Sequence, residues 1–459
     1  MTSDGPYRLH VAAAVDEALR GLRDIAVPLL IGLVAGGTRS SFSALAFGLL
    51  GAVAALAIGI ARWHATTYTV TDRALHFRSG VFSPDDTVVP LERIQAVDTI
   101  AGPVQRVFGV TGLHVQTPGG GEDGDVILSA LSASNAAHLR AALGHPDHGL
   151  GAARRRLRMR ALLLAALTAP QLTILLPVVG AIFGALQNDL LGAGEAEVKH
   201  INSTGEVVMV ALVLLLCAWL LSFLGAIVAF SGFEIERVED RLRIRRGLLQ
   251  RRAVSVPVGR VDGVQIVESP LRRPFGLVTL RLEVTSLGGR ETAARTLFPL
   301  LRAAQVDAFL SAVIPELAGP LQLQQRPPAR ARRRYVTVPL VAALAASAVL
   351  IALVPEAWPV ALVLALGAVL SGLDAYAAGG LRLAPEDARV ILRARRRGSR
   401  VTLIARRRRL QELGVSRTPL QRRADLATVS IAIARGTRIG VRHVERPLAA
   451  RVLAQLAPG

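Results

Sequence analysis

The sequence predicts a multi-pass α-helical membrane protein built as three helical hairpins, each followed by a strand-rich β domain that closes with a C-terminal helix. Three observations carry that prediction. Hydrophobic residues make up 51% of the 459 residues and the mean hydropathy is +0.43, too apolar for an ordinary soluble chain. Uncharged apolar segments occur in pairs, and each pair is followed by a charged, strand-like stretch. One stretch is also used more than once. From Pro90 the chain reads P-L-E-R-I-Q-A-V-D-T-I-A-G-P-V-Q-R-V-F-G-V-T-G-L, and from Pro257 it reads P-V-G-R-V-D-G-V-Q-I-V-E-S-P-L-R-R-P-F-G-L-V-T-L. Without a gap, Pro90, Arg93, Val97, Pro103, Arg106, Phe108, Gly109 and Leu113 fall on Pro257, Arg260, Val264, Pro270, Arg273, Phe275, Gly276 and Leu280. A weaker third copy keeps the register through Arg409, Leu413, Pro419, Arg422 and Val429. A spacing of roughly 150–170 residues lies far beyond the periods of solenoids and marks a domain copied three times.

Taken in order, residues 1–24 are polar to mildly amphipathic and predict a short surface helix with Val11, Val15, Leu19 and Leu22 on its apolar side. No basic n-region with a short apolar core and small-residue exit opens the chain, so no cleaved leader is expected. Residues 25–61 are the first hairpin. Ile25 to Gly37 is short and carries Pro28, Gly32 and Gly36, while Phe42 to Ala61 ends at Arg62-Trp63-His64, a charged and aromatic interface signature. Residues 64–143 are the first β domain. Alternation over Tyr68 and Val70, then Leu75 and Phe77, then Val81, punctuated by Asp72-Arg73 and Ser79-Gly80, reads as short strands and turns. Gly119 to Asp125 reads as a polar hairpin loop, and Ser132 to Leu143 as a helix capped by Ser134 or Asn135 with Leu139 and Leu143 on one face.

The same order recurs twice. Residues 161–230 are the second hairpin, with spans at Ala161 to Leu186 and Val207 to Phe230, each long enough for about 30 Å of hydrocarbon. An acidic loop with Asp189, Glu195, Glu197 and Glu206 separates them. Residues 231–316 are the second β domain, closing with a helix near Ala303 to Val313. Residues 336–373 are the third hairpin, turning at Pro355-Glu356-Ala357, and residues 380–457 are a degenerate third domain ending in a helix near Arg446 to Leu456.

Charge sets the topology. The net charge is +20 and Lys199 is the only lysine, so the excess is arginine. Arginine runs at Arg154 to Arg160 and Arg330 to Arg334 flank the spans on one side, and the opposite loops are acidic or nearly neutral. Positive flanks stay cytoplasmic, which places all three β domains and both termini on the inner face of the cell membrane. This distribution accounts for the charge without nucleic acid, and 4% aromatic residues supply few stacking platforms for single strands.

At this point the motifs carry a resemblance. The pattern Y-x-V-T-D-x-x-L-x-F-R-x-G from Tyr68 to Gly80, then Pro90, R-I-Q-x-V and P-x-x-R-x-F-G, resembles the bacterial pleckstrin-homology (PH) domains. More closely it is similar to the membrane-flanked YdbS/YdbT-like group, whose amino end Arg8-Leu9-His10 also fits. Leu242, Ile244, Gly247 and Pro257 repeat the first part of the pattern in the second copy. The resemblance implies PH-like β-barrel or sandwich domains, each capped by one C-terminal helix. The third copy departs from it, with Ala424 and Asp425 in place of Phe-Gly and Arg406 in place of the proline.

Two sets of residues are candidates. Gly80, Pro90, Arg93, Pro103, Arg106, Phe108 and Gly109, with Gly247, Pro257, Arg260, Pro270, Arg273, Phe275 and Gly276, read first as fold-determining turn and core residues. On this reading Phe108 and Phe275 are buried payloads beside a glycine, and a ligand loop is the alternative. Arg243, Arg245, Arg246, Arg251 and Arg252 form a candidate surface for lipid or a partner, with a passive solvated face as the alternative. No catalytic motif appears: there is no G-x-S-x-G, no G-x-x-x-x-G-K, no H-E-x-x-H and no cysteine pair, so an enzyme is not expected. His145 and His148 sit in a linker, Gly119 to Asp125 lacks the spaced acids of a calcium loop, and Cys217 lies inside a span, so no metal or cofactor is expected. The function expected is to bind or scaffold protein partners or anionic lipid at the inner membrane surface, in envelope stress or export. Membrane lipids, a membrane or cytoplasmic protein and a second copy of the chain are the expected partners, with nucleic acid excluded. A transporter is the alternative: Pro170 and Pro177 around Gln171 would break the third span, although no span carries a charge in its core and Asp374 stands only at the end of the last.

Overall fold

The computed structural model describes residues 6–21, 41–81, 84–94, 96–117, 126–143, 153–168, 204–284, 296–353, 358–383, 388–433 and 438–456. The short span of the first hairpin, Pro170 and Pro177, the acidic loop with Lys199, Gly119 to Asp125, His145 and His148 lie outside the described residues. The chain forms two compact units, the first chiefly Met1–Arg156 with Val228–Pro257, the second chiefly Leu157–Ile227, Val258–Leu287 and Glu291–Gly459. The compact units therefore do not follow the copies, because the second copy contributes its opening strands to one and its closing strands to the other.

In the first unit, strands β1 (Tyr7–Arg8), β2 (Thr67–Val70), β3 (Ala74–Ser79) and β4 (Asp85–Pro90) form an antiparallel sheet in chain order. Strands β5 (Ala96–Ala101), β6 (Val110–Gln116) and β7 (Val126–Ser132) follow, and then the helix Ala133–Ala142. Period-2 alternation places Leu75, Leu113, Val115 and Leu128 in one core with Leu139 and Leu143 of the helix. The helix is capped by Ser132, which accepts from Asn135 N, rather than by Ser134 or Asn135 as the sequence suggested. Residues 12–21 are helical, but their buried face is Ala12, Ala13, Ala14 and Ala18, while Val11 and Leu19 are exposed. The reason is close packing on the helix Ser41–Ala65: a Cβ at Gly59 would meet Ala14 O and Ala18 N at 2.9 Å, so only small residues fit the contact.

The sheet containing β5 does not stop at the first copy. Strands β8 (Ala153–Arg156), β9 (Glu234–Val238), β10 (Arg241–Arg246) and β11 (Arg251–Pro257) extend it in the order β7-β6-β5-β11-β10-β9-β8. The junction is Arg251↔Ala101, Arg252↔Ile100 and Ala253↔Thr99. The second unit repeats the device. Strands β12 (Val261–Glu268), β13 (Leu277–Val284) and β14 (Thr296–Arg302) of the second copy join β15 (Gly380–Leu383), β16 (Arg389–Arg396) and β17 (Ser399–Arg406) of the third. This junction runs from Gly263↔Ala405 to Glu268↔Arg400, and Gly263 is required there because a Cβ would lie 2.6 Å from Ile404 O. Strands β18 (Glu412–Ser416), β19 (Leu426–Ala432) and β20 (Arg438–Glu445) with the helix Arg446–Leu456 complete the third copy. Pairing edge to edge hides backbone donors and acceptors that would otherwise template aggregation.

Backbone ahead of each apolar segment bonds backbone behind it. β1 bonds β2, with Tyr7↔Tyr68 and Arg8↔Thr67, on either side of residues 9–66. β8 bonds β9 on either side of residues 157–233, and Gln325 bridges Leu381 on either side of the helices Ala331–Leu353 and Trp358–Ala378. Among the described residues two helices, Ala331–Ala352 and Trp358–Ala378, are long and apolar enough to cross a membrane. They cross closely at Gly372, where a Cβ would lie 2.5 Å from Tyr335 O. Arg332, Arg333 and Arg334, expected to flank the span that starts at Val336, are part of the first turn of the helix Ala331–Leu353.

Candidate functional site: the repeated loop of each copy

The residues of the repeated stretch form a turn and a loop in every copy. Pro90 and Pro257 end β4 and β11, and the chain then makes a 3-10 turn at Leu91–Arg93 and Val258–Arg260. In the third copy Arg406 ends β17 and the turn is Arg407–Arg409. There Arg406 Nη2 donates to Val258 O at 3.2 Å and Arg409 Nη2 to Gly259 O at 2.7 Å, so the third copy's turn is bonded to the second copy's. Gly80 and Gly247 take φ of 110° and 103° just after β3 and β10, as a reversal requires. Gly398, at φ 82°, fills the corresponding turn between β16 and β17 and was not recognised in the sequence.

The loop proper opens on the second proline. Pro103 is the first residue of the short helix Pro103–Val107, and Pro419 opens Pro419–Arg422 behind a Thr418–Gln421 capping box. Pro270 precedes the turn Arg273–Phe275. Each loop ends in a left-handed residue: Gly109 at φ 64°, Gly276 at 59° and Asp425 at 53°. Aspartate tolerates this conformation better than most residues, so the third copy keeps the loop while losing the glycine. The expectation that Phe108 and Phe275 are buried is corrected: they are 44% and 71% exposed. Phe108 stands at the cap of its helix with the chain reversing after it, and Val104 and Gln105 face inward instead.

In each copy the loop contacts residues of the segment that precedes its strands. In the first copy Phe108 lies against His10, with ring centroids 6.4 Å apart. In the second, Arg272 reaches the end of the helix Met159–Leu167, donating from Nη2 to Ala165 O at 2.8 Å and from Nε to Thr168 Oγ1 at 2.9 Å. Burial, with a smaller push from Arg281, lowers the Arg272 guanidinium to about 10. In the third, Ala424 packs with Leu426 against Tyr335, Ala375 and Tyr376. The smaller residue leaves room for two tyrosines, and Tyr335 Oη donates to Arg442 O at 2.6 Å.

The motif arginine reaches in another direction. Arg106 Nη2 donates to Leu249 O at 2.7 Å, in the β10–β11 turn of the second copy. Arg273 pairs with Asp374 near the end of the helix Trp358–Ala378. Asp374 is shared with the third copy: Arg400 Nη2 lies 2.6 Å from Oδ1 and Arg395 Nε 3.3 Å from Oδ2. One carboxylate thus holds three arginines from two β domains at the end of one apolar helix. Arg272, Arg395 and Arg400 were not singled out in the sequence, because the helix-end groups they reach, Ala165 O, Ser371 O and Asp374, lie more than 20 residues away and no local pattern marks them.

The candidate basic surface of the second copy is corrected in part. Arg243 is buried and pairs with Glu236 at 3.5 Å, and Arg246 is buried on the face shared with Leu242 and Ile244. Neither is free for a headgroup. The register sets Glu236 between Arg154 and Arg243, and Glu234 between Arg156 and Arg245, an alternation of charge across β8, β9 and β10. Arg245 and Arg251 remain exposed and Arg252 is half-buried beside Gln250. Among the described residues no three His, Cys, Asp or Glu side chains gather as metal ligands.

A bacterial PH domain model matches three times, over residues 22–146, 171–316 and 336–459. The chain belongs to the bacterial PH domain family. Its three PH domains are the three copies, each match taking in helical sequence ahead of the strands. The chain is also 25% identical over 365 residues to the UPF0699 transmembrane protein YdbT of Bacillus subtilis (strain 168), covering 72% of this chain and 73% of the relative. With two apolar helices of spanning length, the bacterial PH domains belong to a membrane-associated protein.

Proposed function

We propose that the chain is an integral protein of the inner membrane whose three helix pairs are hairpins of six spans, holding three cytoplasmic PH domains as a platform for a protein partner or anionic lipid. The observation that carries this reading is the backbone pairing at the base of each hairpin, by strands at the first two and by a single bridge at the third. A strand entering the pair that bonds the strand leaving it requires both ends to emerge on one side, and the arginine-rich flanks make that side cytoplasmic. A platform is favoured over a catalyst because the loops that the family pattern marks spend their polar groups on the helix pairs and on each other. A transport path is disfavoured by Asp374, the acid nearest the end of the last span, which is committed to three arginines.

The test is topology followed by partners. Lys199 should react with a membrane-impermeant amine reagent on cells whose outer barrier is permeabilised, and a reporter fused after Gly459 should behave as cytoplasmic. Labelling of Lys199 only after the inner membrane is broken would invert the arrangement. Purification from native membranes in mild detergent should then bring down a stoichiometric protein partner or enriched anionic lipid, and recovery of neither would remove the platform role.

A further inference from the structure

Exposed apolar side chains gather at one place in the first unit. Leu248 and Leu249 form the tip of the β10–β11 turn and are 50% and 52% exposed, and Val107, in the repeated loop of the first PH domain, is 82% exposed. The Arg106 bond to Leu249 O joins that loop to the turn. The turn's height is fixed as well. Gly247 N donates to Ser231 O at 2.8 Å and Leu248 N to Val228 O at 2.9 Å, so the turn lies against the last turn of the helix Thr204–Phe230. Around it stand the exposed Arg245 and Arg251 and the half-buried Arg252. Turn geometry does not call for the leucines, since Gly247 supplies the positive φ and the corresponding turn of the third PH domain is Arg396-Arg397-Gly398. An apolar tip with arginines at its base is the arrangement of a group seated at a bilayer interface, with carbon in the acyl region and guanidinium among phosphates.

We propose that Leu248, Leu249, Val107 and Phe108 form a wedge inserted in the same membrane that the helix Thr204–Phe230 crosses, with Arg245, Arg251 and Arg252 meeting anionic lipid phosphates. The wedge rests on the reading that this helix spans the bilayer. It fixes the first unit to the membrane at a second point beside the span, and it makes lipid, rather than a protein, the occupant of this surface.

The full-length protein tests it by fluorescence quenching in vesicles. An environment-sensitive fluorophore is placed on native Cys217, which is exposed within the helix, or on Leu249→Cys, Val107→Cys or Ala137→Cys in a Cys217→Ser background. The vesicles are phosphatidylcholine alone or equimolar with phosphatidylglycerol, and they carry a lipid nitroxide near the top of the acyl chain. Labels at positions 217, 249 and 107 should be quenched several-fold more than the label at the exposed helix position 137. Quenching at 249 should rise with phosphatidylglycerol, and Arg245→Gln with Arg251→Gln should remove that rise. If the label at 217 is quenched while those at 249 and 107 match 137, the wedge is overturned and the surface passes to a protein partner. An unquenched label at 217 would overturn the spanning reading, and the wedge with it. Equal quenching at 249 in both vesicles would remove the role given to the arginines.

Discussion

Replacing Asp374 by asparagine tests how the end of the last apolar helix is bound to the β domains. Asp374 is 15% exposed and its arginine partners 37%, 23% and 24%, so the cluster lies between a surface pair and a buried one. Removing one partner of a fully buried pair costs about 3–5 kcal/mol, and an exposed pair is worth about 0–1 kcal/mol. Three cations losing one anion, each a quarter to a third wetted, should therefore cost about 2–3 kcal/mol, because residual water and counterions replace part of the lost field. For a unit of this size that corresponds to a fall of roughly 4–12 °C in the unfolding midpoint. Since several domains are present, the midpoint should be read locally, by hydrogen exchange over β16 and β17 in detergent, as well as by a global melt. The double change Asp374→Asn with Arg400→Gln should cost less than the sum of the single ones, because Arg400 bonds Oδ1 twice. A loss under about 0.5 kcal/mol, or strict additivity, would refute the argument that this carboxylate joins helix and domains.

Substitutions at Phe275, Leu310 and Gly276 and a titration of His443 probe the loop and the cores further. Phe275→Ala should change stability by no more than about 0.5 kcal/mol, because the ring is largely exposed, whereas Leu310→Ala, at a fully buried position of the helix Val306–Val313, should cost about 2–5 kcal/mol in a denaturant melt. Gly276→Val should cost about 1–2 kcal/mol through its left-handed backbone, and Gly276→Asn much less, because a Cβ there meets nothing within 4 Å and only conformation is penalised. Burial first, then Arg334 and Arg442, depress the His443 imidazole below its usual range. The unfolded chain then binds more protons than the folded one, so His443 contributes stability above about pH 6.5 that is lost as pH falls below it. The protection factors of β20 amides, which are exchange rates corrected for the intrinsic pH dependence, should fall from pH 7 to pH 5, and His443→Asn, neutral and tolerant of its φ of 58°, should flatten that dependence.

Period and punctuation made much of the fold legible. Leu75, Leu113 and Leu128 read as inward from alternation alone, and Leu139 and Leu143 read as one helix face. The repeat placed Pro103, Pro270 and Pro419 at equivalent points, and the structure opens a loop at all three. What was not legible depends on contacts distant in sequence. Arg243 and Arg245 do lie on one face of a strand, as spacing requires, but only the pairing with β9 shows that Glu236 takes one of them out of solvent. Likewise the glycine beside Phe108 predicted a close approach; its real use is a positive φ, which turns the ring outward rather than inward. Asp374 stood out as the lone acid at the end of a span, yet nothing local in the sequence pointed to Arg273, about a hundred residues earlier, as one of its partners.

The sharing of sheet edges bears on what counts as a working part. Cutting the second PH domain at residues 231–316 would separate β11 from β5 and β12 from β17, leaving open backbone on both strands. Gly263 shows that the second junction is a built contact, since any side chain there would strike the neighbouring strand. An isolated copy would thus expose unpaired edges that the whole chain closes, and its lipid or protein binding would report on those edges as much as on its native surface. The middle copy differs from its neighbours in having both edges taken, and within it Arg243 is spent on Glu236. The first and third copies each give up one edge. Three copies in series are therefore not three independent binding modules: each PH domain is completed by a strand of the next or the one before.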